Sequence, residues 1–404
     1  MNAHAQPAAL RAPFWTPGVL VMFAFIAAAL FFIVARYTGG LGAVTNLSDA
    51  YPWGLWIGID VATGVALAAG GFTSAALVHI FGRHAYESVT RPALLTAVLG
   101  YTFVSLALVV DIGRSWTIWH PIVYHQGNSV LFEVAMCVVT YLHVLYIEFI
   151  PIVAEQYRGR VHLPGPLAVL NRPVDAFLGF ADRILDKVMW VFIIAGVVLS
   201  CMHQSGLGSL LLIAPTKVHP LWYTPILPLL FLMSAIAVGF PMIIVENGLA
   251  SASFELQDES GLLARLSRVT IFLLGAYLVV KLGDLFARGA HVHLWEGTTQ
   301  SKAFLVEVVL GVIAPWCLLL SSRIRSSRRG LFIASALIVG GVALNRVNVF
   351  LVSFQPPYAE TSYFPSIGEI VITTGFIAAL MLVYRVLVTY LPILSPKSRE
   401  VASS

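Results

Sequence analysis

Long apolar runs, nearly free of charge, recur every thirty to forty positions along this chain, separated by shorter polar stretches. A bilayer core about 30 Å thick takes roughly 20 such residues per helix. By that rule the pattern predicts ten membrane-spanning helices, with approximate cores at 18–36, 54–80, 93–112, 129–153, 186–202, 226–246, 266–286, 301–320, 330–350 and 368–391. A membrane β-barrel would instead show short alternating segments of about ten residues. No such alternation dominates, so the predicted fold is all-α: a polytopic membrane helix bundle forming one integral domain over residues 1–404, with short tails at 1–17 and 396–404.

Composition sharpens this reading. Of 404 residues, 58% are hydrophobic and 11% charged, whereas soluble domains carry about 25% charged residues. A water-soluble fold is excluded. The first run is long, weakly basic in front and lacks a clear cleavage site, so it reads as an uncleaved helix and not a signal peptide.

Lysines and arginines set the orientation, because they are retained on the cytoplasmic side of short loops. Most lie in the termini and even-numbered loops, among them Arg11, Arg83, Arg91, Arg158, Arg160, Arg323, Arg325, Arg328, Arg329, Lys397 and Arg399. Both termini are therefore expected in the cytoplasm. The net charge of +4 is this bias and implies no nucleic-acid partner. Segments 155–182 and 247–265 read as polar cytoplasmic connectors. The opposite loops are long and rich in Trp, Tyr, His, Pro and Gly, as in 116–129, 214–225 and 353–365. Such aromatics anchor many membrane proteins at the interface; they also suit a surface that docks a partner and roofs a small-molecule site.

Cys137, Cys201 and Cys317 are isolated, which leaves no covalent haem motif and no iron-sulfur ligand run. His79, His143 and His203 fall at different expected depths, near the inner end, past the middle and at the outer end, so a haem held by facing histidines is not expected. No metal site is expected in this chain either, and any redox cofactor would belong to another subunit.

Charged side chains inside hydrocarbon are costly and tend to face a bundle interior. Asp60, Asp111, Arg114, Glu133, Lys281, Asp284, Glu307, Arg346 and Glu369 all fall toward the outer end of their spans. Asp111 with Arg114, and Lys281 with Asp284, stand three residues apart and could neutralise each other. On the fourth span Glu133, Cys137, Thr140, Glu148 and Glu155 share a stripe about 80° wide. Glu133 and Glu148 would lie about 22 Å apart along it. A carboxylate near each end of a polar stripe suits a proton relay, with Glu246 of the sixth span a further inner candidate; Glu155 reads better as a solvated boundary residue.

The segment MHQSGLGSL (202–210) offers an imidazole, an amide and hydroxyls beside two glycines, donors and acceptors suited to quinone carbonyls. It could equally be a helix C-terminal cap followed by a turn.

The phrases YPWGLWIGIDVATGVALAAGGF (51–72), RPALLTAVLGY (91–101), VVDIGRSW (109–116), NSVLFEVAMC (128–137), MHQSGLGSL and KVHPLW (217–222) resemble the HybB group of the NrfD and polysulfide-reductase C family. These are membrane subunits of the hydrogenase 2 type of periplasmic nickel-iron hydrogenase. The likeness runs from about Gly40 to Pro396. It implies a haem-free, quinone-linked subunit of an anaerobic respiratory electron-transport complex in the bacterial inner membrane. The implied partners are a periplasmic ferredoxin-like iron-sulfur subunit and the large and small [NiFe] subunits, which hold the iron-sulfur clusters and the NiFe centre.

On that basis Glu133, Asp111 and Arg114 are the expected catalytic residues. Trp53, Asp60, His203, Gln204 and Ser205 are expected to bind quinone, menaquinone or ubiquinone. Glu133, Thr140, Glu148 and Glu246 form the expected proton path, with proton translocation as an added expectation. A subunit of the same family serving another respiratory oxidoreductase is the alternative, and a secondary transporter is a third reading from a different class.

Overall fold

The computed structural model describes residues 7–10, 13–254, 256 and 259–396. Arg11, Lys397 and Arg399, and with them parts of both tails, lie outside the described residues. Among the described residues, ten helices are long and apolar enough to cross a membrane: α1 Pro17–Gly39, α2 Trp56–Ile80, α3 His84–Asp111, α4 Val130–Tyr157, α5 Gly165–Ile213, α6 Leu227–Ser253, α7 Ser260–Ala287, α8 Thr299–Leu320, α9 Arg328–Val352 and α10 Ile367–Tyr390. The same residues hold no β-strand, only the isolated bridges Val218–Phe354 and Leu256–Pro396.

Several helices start where a hydroxyl can accept from the orphan N–H groups of the first turn. Thr16, Ser129, Thr298, Ser327 and Ser366 do so. At α10 the arrangement is reciprocal: Glu369 N donates to Ser366 Oγ at 3.1 Å and Ser366 N to Glu369 Oε2 at 2.9 Å, the S-x-x-E capping box.

Two connectors differ from expectation. A continuous helix occupies Asn171–Ser209, so half of the expected 155–182 loop is helical. Its first turns are amphipathic, burying Leu178, Gly179, Ala181 and Leu185 while Asp182 and Asp175 tie back to Arg158 and the Gly159 amide, each at 2.5 Å. Likewise α6 continues to Ser253 and α7 begins at Ser260, which shortens the 247–265 connector.

Helices α2–α5 form one group and α6–α9 another, with α2 lying against α6 and α9 to join them; α1 packs chiefly on α10, which leans on α3. Close crossings depend on glycine: a Cβ on Gly311 of α8 would stand 2.5 Å from Gly341 Cα of α9. Wide π-type turns interrupt α2 (Trp56–Thr63, Ala76–Ile80), α8 (Val309–Ile313) and α9 (Asn348–Val352). Such turns are tolerated at membrane depth where protein covers them. In α2 the Thr63 hydroxyl donates to the Gly58 carbonyl at 2.8 Å, five residues back.

The two ends differ in kind. At the basic end Arg91 joins α4 through Glu155 (2.7 Å) and the C-terminal segment through the Pro392 carbonyl (2.8 Å). The N-terminal tail reaches the same place, Ala8 N donating to Leu394 O at 3.0 Å. At the aromatic end, loops 214–226 and 353–366 are pinned together by His219 N to Ser353 O at 2.8 Å.

Candidate functional site: buried polar clusters within the bundle

Near the aromatic end, acidic groups from three helices gather in one layer. Asp60 of α2 accepts from Thr373 Oγ1 of α10 at 2.8 Å. Glu369 accepts from the Asn46 amide at 3.1 Å and from the Tyr363 hydroxyl. Asp111, at the end of α3, faces Glu369 and Arg36 and is close enough to Asp60 for the charges to interact. In the loop before α10, burial and then Glu369 beside it push the Tyr363 phenol above its usual range, so it stays a donor.

The Asp111–Arg114 pairing that the spacing allows is not formed. Arg114 is exposed in the turn after α3, and the cation that serves this helix end is the buried Arg36 of α1. Its guanidinium donates to the Val110 carbonyl at 2.7 Å and the Ile112 carbonyl at 2.6 Å. It thus fills the orphan acceptors of the last turn, where a cation also opposes the helix dipole. Trp53 sits half-buried, its ring 5.7 Å from that of Phe354.

A second cluster fills the core of the α6–α9 group. Lys281 is paired with Glu307, not with Asp284. Glu307 also accepts from Trp222 Nε1 (2.9 Å), Asn345 Nδ2 (2.8 Å) and Asn348 Nδ2 (2.9 Å). Asp284 turns instead to Arg288 at 2.8 Å and Thr224 at 2.9 Å. The i,i+3 geometry lost because Glu307 offers a fully buried carboxylate whose lone pairs are all satisfied, and a buried ammonium needs such a partner. Arg346 lies beside this network, donating to Asn345 Oδ1 at 2.6 Å and Ser234 Oγ at 2.9 Å, with its carbon 3.7 Å from the Phe231 ring centroid.

The third cluster runs between α3, α4 and α5. His203 Nδ1 meets the Tyr101 hydroxyl at 3.2 Å, and Tyr141 packs edge-on against Tyr101 with centroids 4.5 Å apart. Ser200 Oγ faces both tyrosine hydroxyls without completing a hydrogen bond to either. Glu148, about 10.5 Å of helical rise from Tyr141 on the same face of α4, lies half-buried between α4 and α5, its Oε1 in the space a side chain on Gly196 would take. Gln204 Nε2 donates to the Val65 carbonyl of α2 at 2.8 Å. Three fully buried atoms here, Ser200 Oγ, His203 Nε2 and Gln204 Oε1, have no protein partner. Buried groups of that kind are normally satisfied by water or a ligand.

The sequence pattern puts His203 at the outer end of its span, with 202–210 as a cap and turn or a surface quinone site. Helix α5 carries on through Ser209, so both surface placements are corrected. Tyr101 is ten residues, about 15 Å of helical rise, from Asp111, and His203 shares that depth. Gly208 allows the continuation, since a Cβ there would stand 2.8 Å from the Leu227 carbonyl at the start of α6.

The expected path residues separate into different surroundings. Glu133 and Thr140 are exposed on α4, the Thr140 hydroxyl donating to its own helix at Met136 O, 2.8 Å. Ser205 Oγ likewise donates within α5, to Met202 O at 3.0 Å. Glu246 sits in a cleft at the basic end with Ser88, Asn247, Glu259 and Ser395, accepting from Tyr384 at 2.7 Å; it does not meet Glu148. Sequence reasoning missed Arg36, Tyr101, Tyr141, Ser200 and Trp222. Their partners are far along the chain, and no spacing could reveal the contacts.

A family profile described as polysulphide reductase, NrfD matches residues 43–355. The chain belongs to the NrfD family. Among similar proteins, the probable Ni/Fe-hydrogenase 2 b-type cytochrome subunit of Escherichia coli is 34% identical over 94% of this chain and 92% of its own. A protein of Nitratidesulfovibrio vulgaris with no descriptive name is 38% identical over 94% and 95%. The integral membrane subunit of menaquinone reductase from the same organism is 26% identical over 94% and 91%. This NrfD protein is thus a polytopic membrane subunit of the type found in hydrogenases and other respiratory oxidoreductases.

The b-type cytochrome in the Escherichia coli name implies a haem, which needs axial ligands facing each other across helices. Among the described residues, the three histidines inside the spans do not fit that requirement. His203 is buried against Tyr101, whereas His79 and His143 are exposed, His143 Nδ1 lying 2.7 Å from the carbonyl of Val139 in its own helix.

Proposed function

We propose that this NrfD protein is the quinone-reactive membrane subunit of a periplasmic [NiFe] hydrogenase complex. Its basic end lies in the cytoplasm and its aromatic end carries the docked ferredoxin-like iron-sulfur subunit. Electrons arrive from that partner, and quinone takes up two electrons and two protons to become quinol near the Asp60, Asp111 and Trp53 layer. The hydrogenase assignment rests on the 34% identity over almost the whole chain.

The observation that carries the proton route is the run from half-buried Glu148 to the buried Tyr141, Tyr101, Ser200 and His203. Each member has a carboxyl, hydroxyl or imidazole able to accept one proton and release another. The orphan atoms provide places for bridging water, and water also carries the proton over the roughly 15 Å of helical rise from His203 to the Asp111 layer. Beyond half-buried Glu148 this route is buried, unlike the exposed Glu133–Thr140 face; Glu133 remains the carboxylate nearest the aromatic end of α4.

In the purified complex, Glu148→Gln should abolish hydrogen-to-quinone activity and leave hydrogen oxidation with an artificial acceptor intact. Wild-type quinone reduction in that variant would remove Glu148. The same measurement on Glu133→Gln decides whether the exposed carboxylate takes part.

A different respiratory partner is the second reading. It is favoured by the menaquinone reductase relative and by a selenate reductase subunit from Mesobacillus selenatarsenatis, which is 22% identical over 89% of this chain and 89% of its own. Metal analysis of the native complex separates the two readings, since only the first requires nickel.

A further inference from the structure

We propose that His219, His293 and Glu296 form a binding site for one zinc ion that clamps two loops of the aromatic end. The three residues come from two separate connections: His219 from the segment between α5 and α6, and His293 and Glu296 from the turn between α7 and α8. Their ligand atoms lie within 4.8 Å of one another. The imidazole rings of His219 and His293 are 5.5 Å apart, and His293 Nδ1 is 2.6 Å from Glu296 Oε1.

Two imidazoles and a carboxylate make a donor set suited to Zn2+, which binds nitrogen and oxygen at about 2.0–2.2 Å. In a tetrahedron of that size, ligand atoms stand about 3.4 Å apart. Reaching that spacing means the His293–Glu296 pair opening from 2.6 Å while the wider separations close, and both side chains, 30% and 41% exposed, have room to rotate. That exposure also leaves the fourth position to water.

The His219 backbone is already fixed. Its amide donates to Ser353 O at 2.8 Å, and its carbonyl accepts from the Trp222 and Tyr223 amides, both at 3.0 Å. On the other side, Gly289 at φ 71° turns the chain into the helical turn Ala290–Trp295 that presents His293.

A bound ion would brace more than the two loops. Trp222, three residues after His219, donates to Glu307 in the buried Lys281 network. Arg288, just before the second loop, holds the Pro220 carbonyl at 3.0 Å. The clamp therefore closes the aromatic end of the α6–α9 group over that network.

The test is zinc binding by the full-length protein in its purified complex, stripped with a chelator and titrated with Zn2+, beside His293→Ala, Glu296→Gln and His293→Cys. Co2+ as a substitute reports tetrahedral coordination by its visible absorption. Wild type should take up one equivalent more per chain than His293→Ala. Losing an outer-shell partner costs about 10–100-fold in affinity, so loss of a direct ligand in His293→Ala or Glu296→Gln should cost at least as much. His293→Cys, which restores a ligand, should keep the ion. Equal zinc uptake by wild type and His293→Ala overturns the proposal. So does loss of zinc by His293→Cys in a complex that assembles normally.

Discussion

Lys281 of α7 reaches across to Glu307 of α8 and leaves Asp284, one turn along its own helix, to Arg288. The pair is not symmetric. Without Lys281, the Glu307 carboxylate keeps three neutral donors from Trp222, Asn345 and Asn348; without Glu307, the ammonium keeps one hydrogen bond, to the Tyr277 hydroxyl at 3.2 Å, and the Phe304 ring at 5.1 Å. Breaking a buried pair costs about 3–5 kcal/mol. Glu307→Leu should fall in that range and Lys281→Met below it, measured by thermal unfolding in detergent. The reverse order would mean that the neutral donors do not stabilise the carboxylate.

Adjacent glycines on α9 should respond in opposite ways. A Cβ on Gly341 would collide with the backbone of Gly311, whereas one on Gly340 meets nothing within 4 Å. Gly341→Ala should destabilise by about 1–3 kcal/mol, as overpacking does. Gly340→Ala should be neutral or gain up to about 1 kcal/mol from helix propensity. Thermal unfolding of both, or their yields as assembled protein, checks the contrast.

What the sequence made legible follows from the range of the physics involved. Ten spans were readable, because hydrophobic length acts within one helix. The start of α5 was not, since Asn171 to Leu185 is amphipathic and its apolar face shows only against its neighbours. Site residues divided in the same way. Asp60, Glu148 and His203 could be singled out as polar groups in apolar runs. That His203 meets Tyr101, 102 positions away, or that Arg36 and not Arg114 serves the end of α3, depends on how helices cross, which no local spacing records.

Gly196 gives a way to move Glu148 without replacing it. A Cβ at 196 would stand 2.7 Å from Glu148 Oε1, the movable tip of a side chain, and 3.5 Å from the next atom, Val144 Cγ1. Gly196→Ala should therefore fold and assemble normally while displacing the carboxylate from α5. If Glu148 feeds protons to quinone, hydrogen-to-quinone turnover should drop, up to the roughly 100-fold or more that a positioned proton-transfer group contributes, with artificial-acceptor activity unchanged. Full quinone activity in this variant would argue that the position of Glu148 is immaterial.

Tyr101→Phe separates a proton-carrying hydroxyl from a merely structural one. The ring and its edge-on contact with Tyr141 remain, and only the 3.2 Å contact to His203 Nδ1 is lost. A hydrogen bond of this kind contributes about 1 kcal/mol net, so the variant should assemble and unfold close to wild type. As a relay member, however, the hydroxyl is the bridge between Tyr141 and His203, and losing a positioned proton-transfer group costs about 100-fold or more in rate. Hydrogen-to-quinone turnover should fall by that factor. The remaining activity should depend more steeply on pH than the wild type's, because protons must then arrive through water alone. A structural role would give the small loss of stability without the kinetic one. Unaltered quinone turnover and pH profile in Tyr101→Phe would rule out a route through α3.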